Sequence, residues 1–279
     1  MKLSGTKTAA FIFLLVMGII YLHPILWIFI SSFKVEAEVL QAGGFMLLPK
    51  TWTVQNFANL FSARNVQTPV FRWLLTSVFV SGSTAVLSII IVSMSAYAFS
   101  KLHFKGRDVL FLTILFISSF PAIVNIVPLY RVMLTFRWVN TPWALIFPGL
   151  VGVFNIFLVR QFMKGIPDSL TEAANIDGAG EFQVYANIML PLTKPILTII
   201  GIFSFTGSWN DFLWPSIVMT EIKTLTLTAG LQLARGTYEQ NLAQMSAISV
   251  IAIVPMIVLY CCAEKLFVRG VSISAGVKG

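Results

Sequence analysis

Charge is scarce in these 279 residues: Asp, Glu, Lys and Arg together make 11%, against 57% hydrophobic residues and a mean hydropathy of +0.85. That balance excludes an ordinary soluble domain, in which about 25% of residues are charged. Histidine occurs only as His23 and His103, and cysteine only as the adjacent Cys261 and Cys262. So few imidazoles leave little material for general acid–base catalysis. Neighbouring cysteines diverge on a helix and make no metal site, so these two read as buried packing thiols. No Gly-Lys dipeptide occurs anywhere, which removes a Walker A phosphate loop, and there is neither a Gly-x-Ser-x-Gly elbow nor a His-Glu-x-x-His helix. The chain is expected not to be an enzyme and to bind no metal. The formal charge of +8 invites nucleic acid as a partner, but the basic residues cluster beside apolar runs and act there as topology signals.

What is abundant is apolar and aromatic, with 24 Phe and 7 Trp, which suits lipid contact and interfacial anchoring. A helix needs about 20 apolar residues to cross a membrane. Six windows qualify, near 9–32, 73–100, 109–131, 143–161, 195–219 and 243–267, predicting an all-α polytopic membrane protein with one transmembrane domain. The first is too long for a signal h-region and lacks a small-residue cleavage site, so it reads as a retained span, kinked at His23-Pro24. The second is dense in Ser, Gly and Ala, the small residues that let membrane helices approach closely, and reads as an inner helix. Lys101, Lys105 and Arg107 behind it mark a cytoplasmic turn, which puts both termini in the cytoplasm. Pro121, Asn125 and Pro128 break the third span, whose freed backbone groups predict that it faces an interior. The fifth contains Trp209, Asn210 and Asp211, an intramembrane carboxylate that invites a functional reading. Few other ionisable groups lie in the spans, which argues against a proton relay, and no internal repeat is apparent. Segments 34–71 and 221–241 are expected as external loops, the first of them ordered.

Between the fourth and fifth spans, 165–193 is a polar island. Ser169-Leu170-Thr171-Glu172 has the spacing of a capping box, so a helix is predicted to start there. Gly178 and Gly180 permit a bend. Phe182, Tyr185 and Met189, with Ile188, then form one apolar helical face that ends at Pro191. By pattern alone this is a helix, a bend and a helix on the cytoplasmic membrane surface, compatible with a plain amphipathic linker.

The stretch Glu172-Ala173-Ala174, Gly178, Ile188 and Leu190-Pro191 resembles the Glu-Ala-Ala, three residues, Gly, nine residues, Ile-x-Leu-Pro pattern of permease subunits of binding-protein-dependent ABC importers. Asp177, Trp209-Asn210-Asp211 and the Gly276–Gly279 ending are similar to the carbohydrate subgroup, near the smaller permease of maltose-type systems. The resemblance implies a type I importer fold in a bacterial-type cytoplasmic membrane, paired with a second, related permease. It implies that the island docks on a cytoplasmic ABC ATPase dimer through Glu172, that ATP and Mg²⁺ belong to that ATPase, and that this chain binds no cofactor. It further implies an extracytoplasmic solute-binding protein that delivers sugar, into which the 221–240 loop reaches, and a C-terminal tail that touches the ATPase. Asn125, Asn155, Asn210 and Asp211, with Trp209 as a stacking ring, are candidates for the sugar path, because carbohydrate recognition needs planar polar groups and an aromatic face. Interhelical hydrogen bonding is the alternative for each Asn. A stand-alone facilitative or ion-coupled carrier, or an assembly factor, would have no need of the island.

Overall fold

A computed structural model describes residues 5–41, 48–62, 68–237 and 241–276; Gly43-Gly44 and Val277–Gly279 lie outside the described residues. The chain folds as two units, one of residues up to Phe71 with 230–255, the other of 72–229 with the residues from Met256 onward. Every regular element among the described residues is helical.

In the first unit, α1 (Gly5–Ser31) runs through Pro24 without interruption, so the expected kink is not a break. The turn after it is closed by Asn56, whose amide donates to the Ser32 and Lys34 carbonyls at 2.9 and 2.8 Å. Phe33 packs between the rings of Phe29, Trp52 and Phe57. These contacts and two short helices, α2 (Glu36–Gln41) and α3 (Gln55–Phe61), order the described part of the 34–71 segment. A carboxylate from this segment finishes a distant helix: Glu36 accepts from the Leu242 and Ala243 N–H groups at 3.0 and 2.8 Å, the first turn of α15 (Leu242–Gly276). A helix start leaves such donors orphaned, and an anion is favoured there.

The second unit is arranged around α4 (Val70–Ser100), as its small residues predict. Its buried hydroxyls make one polar contact after another along the helix. Ser77 accepts from the Leu227 N–H at 2.8 Å, Ser81 meets Ser208 at 3.3 Å, Ser88 donates to the Leu150 carbonyl at 2.8 Å, and Ser93 lies 2.8 Å from the Tyr185 hydroxyl. Polar pairs of this kind join helices where hydrophobic attraction is weak. Gly201 lets its helix, α12 (Lys194–Asn210), come so close that an added Cβ would stand 2.8 Å from Ile89.

The remaining spans are bent. α5 (Arg107–Ser118) and α6 (Ile126–Thr135), with a 3₁₀ turn at Ala122–Asn125, meet at 86° across Pro121. α7 (Trp143–Ile146) continues as a 3₁₀ turn at Phe147–Gly149 and meets α8 (Val153–Lys164) at 45°. Between α12 and what precedes it the bend is 80°. Counting each bent pair as one span with the three long apolar helices gives the expected six. Beyond α12 lie α13 (Leu213–Val218) and α14 (Leu227–Thr237).

One expectation holds only in part and another fails. Around the break of the third span Phe116, Phe120, Ile123, Val124 and Val127 are all more than 60% exposed, whereas Phe111 and Met133 of the same span are buried, so the span turns one face to the interior of this chain and leaves the break outside it. Cys261 and Cys262 are exposed as well. In both cases an apolar sequence signals removal from water, which lipid or another subunit accomplishes as well as a chain's own core.

Candidate functional site

The polar island folds as α9 (Ser169–Ile176), a bend, α10 (Glu181–Val184), a π turn at Tyr185–Met189 and α11 (Leu190–Leu192). The predicted capping box does not form. Asp168 takes the N-cap position with Ser169 already inside the helix, and Thr171 Oγ1 donates to the Asp168 carbonyl at 2.8 Å. The bend is as the glycines predict. Gly178 has φ +83°, its N–H reaches the Asn175 carbonyl at 3.0 Å, and the Ala179 N–H reaches Ala174 at 2.9 Å. This pair of bonds is a Schellman closure, which requires a left-handed residue at the glycine position. Gly180 starts α10, with its N–H held by Gln183 Oε1 at 2.9 Å.

The single apolar face expected after the bend is split. Val184, Tyr185 and Met189 are buried, whereas Phe182 is 71% exposed. The π turn supplies the reason. Pro191 has no N–H to give the Asn187 carbonyl and its ring would collide with it, and the chain widens its helix just before that point. Pro191 therefore lies within α11 instead of ending a helix.

From behind, the island is held by the last turns of α4. Lys101 donates to the Ile166 carbonyl at 2.7 Å and pairs with Asp168 at 2.5 Å, its side chain 6% exposed. That hydrogen bond and the ammonium charge keep the Asp168 carboxyl below the usual carboxylate range. Tyr97 donates to Glu181 Oε2 at 2.7 Å, and its ring lies 5.4 Å from that of Tyr185. Alongside, Arg160 of α8 is buried over the Phe111 ring at 4.0 Å, donating to the Phe99 carbonyl at 3.0 Å and to Asp108 at 2.7 Å. One apolar cluster runs beneath, from Val92 and Ala96 through Met163 and Tyr185 to Leu197, with Ala174 and Leu190 packed against it.

From the front, the island is bare. Glu172, Ala173 and Asp177 are exposed, and the Glu172 carboxylate has no hydrogen bond or ion pair among the described residues. Beside it Ile176 is 86% exposed. Ile188 is half-buried and Pro191 exposed. An apolar patch ringed by acid, on a base fastened from behind, is the form of a docking surface.

The candidates for a substrate path separate. Asn155 and Asp211 line one cavity of about 370 Å³, with Thr84, Ser204, Ser208, Phe203 and Trp214 among its walls. Asp211 Oδ1 also accepts from the Leu213 and Trp214 N–H groups at 3.1 and 3.3 Å, starting α13. Asn125 and Asn210 are exposed and line no wall of it. Trp209 is 2% exposed and stacked on Phe205 at 5.6 Å, so the ring available to the cavity is Trp214, which sequence reasoning passed over. Asn140 was passed over too. At φ +62° it accepts from the Thr220 and Glu221 N–H groups at 2.7 and 3.1 Å and ties two distant turns together. The only sequence signal for it is that Asn tolerates the left-handed region.

Residues 89–271, which include the island and its supports, match the family described as binding-protein-dependent transport system inner membrane component. The chain belongs to this family. This permease is 34% identical over 278 residues to the arabinooligosaccharides transport system permease protein AraQ of Halalkalibacterium halodurans, covering 99% of this chain and 97% of the relative. It is 30% identical over 263 residues to the diacetylchitobiose uptake system permease protein NgcG of Streptomyces coelicolor, covering 93% and 85%. In fold it is similar to a chain of a bacterial ABC transporter that imports the acidic polysaccharide alginate, with TM-score 0.82 and 24% identity over 96% of this chain and 99% of that one. Membership identifies a multi-pass membrane component of an ABC importer and sets the stand-alone carrier aside.

Proposed function

We propose that this permease carries an oligosaccharide across the membrane together with a second, related permease, and that the front of the island receives a cytoplasmic ABC ATPase dimer. The chain itself does not hydrolyse ATP; ATP and Mg²⁺ are bound by the ATPase, and an extracytoplasmic solute-binding protein delivers the sugar. Both termini then lie in the cytoplasm. One observation carries the coupling reading: an unpaired, exposed Glu172 and an exposed Ile176 stand on a segment whose rear is fastened to α4 by Lys101–Asp168 and Tyr97–Glu181. A push on the front is passed to a long membrane helix without an intervening flexible joint. The bend at Gly178 and the packed Ala174 and Leu190 hold the shape, while Glu172, Ala173, Asp177 and Ile188 meet the partner or flank those that do. The sugar assignment is supported by AraQ, described as a permease of an arabinooligosaccharides transport system, and NgcG, described as one of a diacetylchitobiose uptake system.

The test is to purify the tagged chain with its neighbouring permease and ATPase and to measure ATP hydrolysis stimulated by a sugar-loaded binding protein. Glu172→Ala is expected to leave insertion intact while lowering stimulated hydrolysis and uptake by about tenfold or more. Normal transport at normal ATPase association in that variant would overturn the assignment.

A further inference from the structure

We propose that the cavity bounded by Thr84, Asn155, Asp211 and Trp214 is a subsite for an uncharged segment of the sugar chain, and that Asp211 turns acidic sugars away. This rests on the sugar-permease reading above and names the class of substrate that the same path accepts.

Two features of the walls carry it. Asn155 has no hydrogen bond from its amide among the described residues, and it sits so close to Gly152 that a Cβ there would stand 2.8 Å from Nδ2. Gly152 thus keeps open the space in which that amide stands, an amide able to donate and accept at once. Asp211 is the only ionisable group among the described residues lining the cavity. One of its oxygens is committed to the start of α13 and the other has no partner among the described residues.

An amide and a carboxylate oxygen beside the Trp214 ring are groups that a sugar's hydroxyls and its apolar ring can use. The cavity, about 370 Å³, lies at the small end of ligand pockets and holds part of a chain, not a long oligosaccharide. No cation lines it. A uronate carboxylate entering would lose its hydration against an anion with nothing to neutralise it, whereas an uncharged ring donates hydroxyl hydrogen bonds to Asp211. The alginate importer that shares this fold takes an acidic polysaccharide. The walls of this chain predict the opposite preference.

The experiment uses the assembled complex in lipid nanodiscs with Ser204→Cys, a cavity-wall position, labelled by a small thiol reagent and read at position 204 by mass spectrometry. Arabinotetraose is expected to slow that labelling several-fold and tetragalacturonate to leave it unchanged, a difference of about tenfold in apparent affinity. Asp211→Asn keeps an acceptor for the Leu213 and Trp214 N–H groups and should let the uronate protect as well as the neutral sugar. The subsite is overturned if tetragalacturonate protects the unsubstituted cavity as well as arabinotetraose, or if neither protects while the same complex transports sugar. If protection is selective but binding-protein-stimulated ATP hydrolysis and uptake are absent, the permease reading falls and the preference of the cavity stands.

Discussion

Gly178 offers the most discriminating perturbation, because its structure separates backbone strain from steric fit. A Cβ added there meets nothing within 4 Å, so size alone excludes no side chain. The φ of +83° does. A β-branched residue in the left-handed region costs about 1–3 kcal/mol. Escaping that cost means releasing the Gly178 and Ala179 N–H bonds to Asn175 and Ala174, at about 1 kcal/mol each. Either way the bend loses about 2 kcal/mol, which is about 30-fold in its population against splayed alternatives. Gly178→Val is therefore expected to lower uptake and binding-protein-stimulated ATP hydrolysis by about tenfold or more at equal membrane abundance. Gly178→Asn, larger than Ala but tolerant of the left-handed region, should remain nearest to the unsubstituted chain, with Gly178→Ala between the two. The initial uptake rate in membrane vesicles, normalised to inserted protein, gives the ranking. An order that follows side-chain volume, with Asn as damaging as Val, would refute the argument and point to a contact with the ATPase at this position.

Three other outcomes are expected. Arg160→Met orphans the Phe99 carbonyl and removes the charge over Phe111, together about 2–4 kcal/mol, with nothing counted for the exposed Asp108 partner; Arg160→Lys should recover only part, and a melting midpoint unchanged in both variants would contradict the reading. The Asp168 carboxyl, held low by Lys101, stabilises the fold above the ordinary carboxylate pKa and loses that contribution only as pH falls through its lowered value. The stability gap between the unsubstituted chain and Asp168→Asn should thus persist down to about pH 4 and close in stronger acid, and a gap closing near neutrality would be inconsistent. Asn140→Ala should destabilise the fold, since it strips the Thr220 and Glu221 N–H groups of their acceptor and puts Ala at φ +62°, and Asn140→Gly should recover only the conformational part.

The fold was legible because its cause is compositional. Apolar windows, Ser and Gly in the second span and prolines in the third are local in the sequence, and the bundle follows them. Gly178 was legible for the same reason: its conformational demand belongs to the residue. What escaped depends on neighbours. Ser169 and Asp168 can both begin a helix, and the choice follows Lys101, far away in sequence but 2.5 Å away in space. Phe182 has the spacing of a buried residue, yet the π turn in front of Pro191 shifts the register of the face. Trp209 and Trp214 look alike in the sequence, and only the extended residue at Asp211 between two helices sends one into the core and the other to the cavity.

Glu36 adds a matter of timing. Its carboxylate seals the first turn of α15 from 206 residues upstream. At about 5–20 residues per second, the helix it completes leaves the ribosome about 10–40 s after Glu36 itself. Until then Glu36 is an acid without its donors at the end of the first span, and the start of the last span is uncapped on arrival. The first unit therefore closes only after the start of α15 has been made, which makes the joining of Glu36 to that helix a late step relative to the first span and a natural point for quality control to sample.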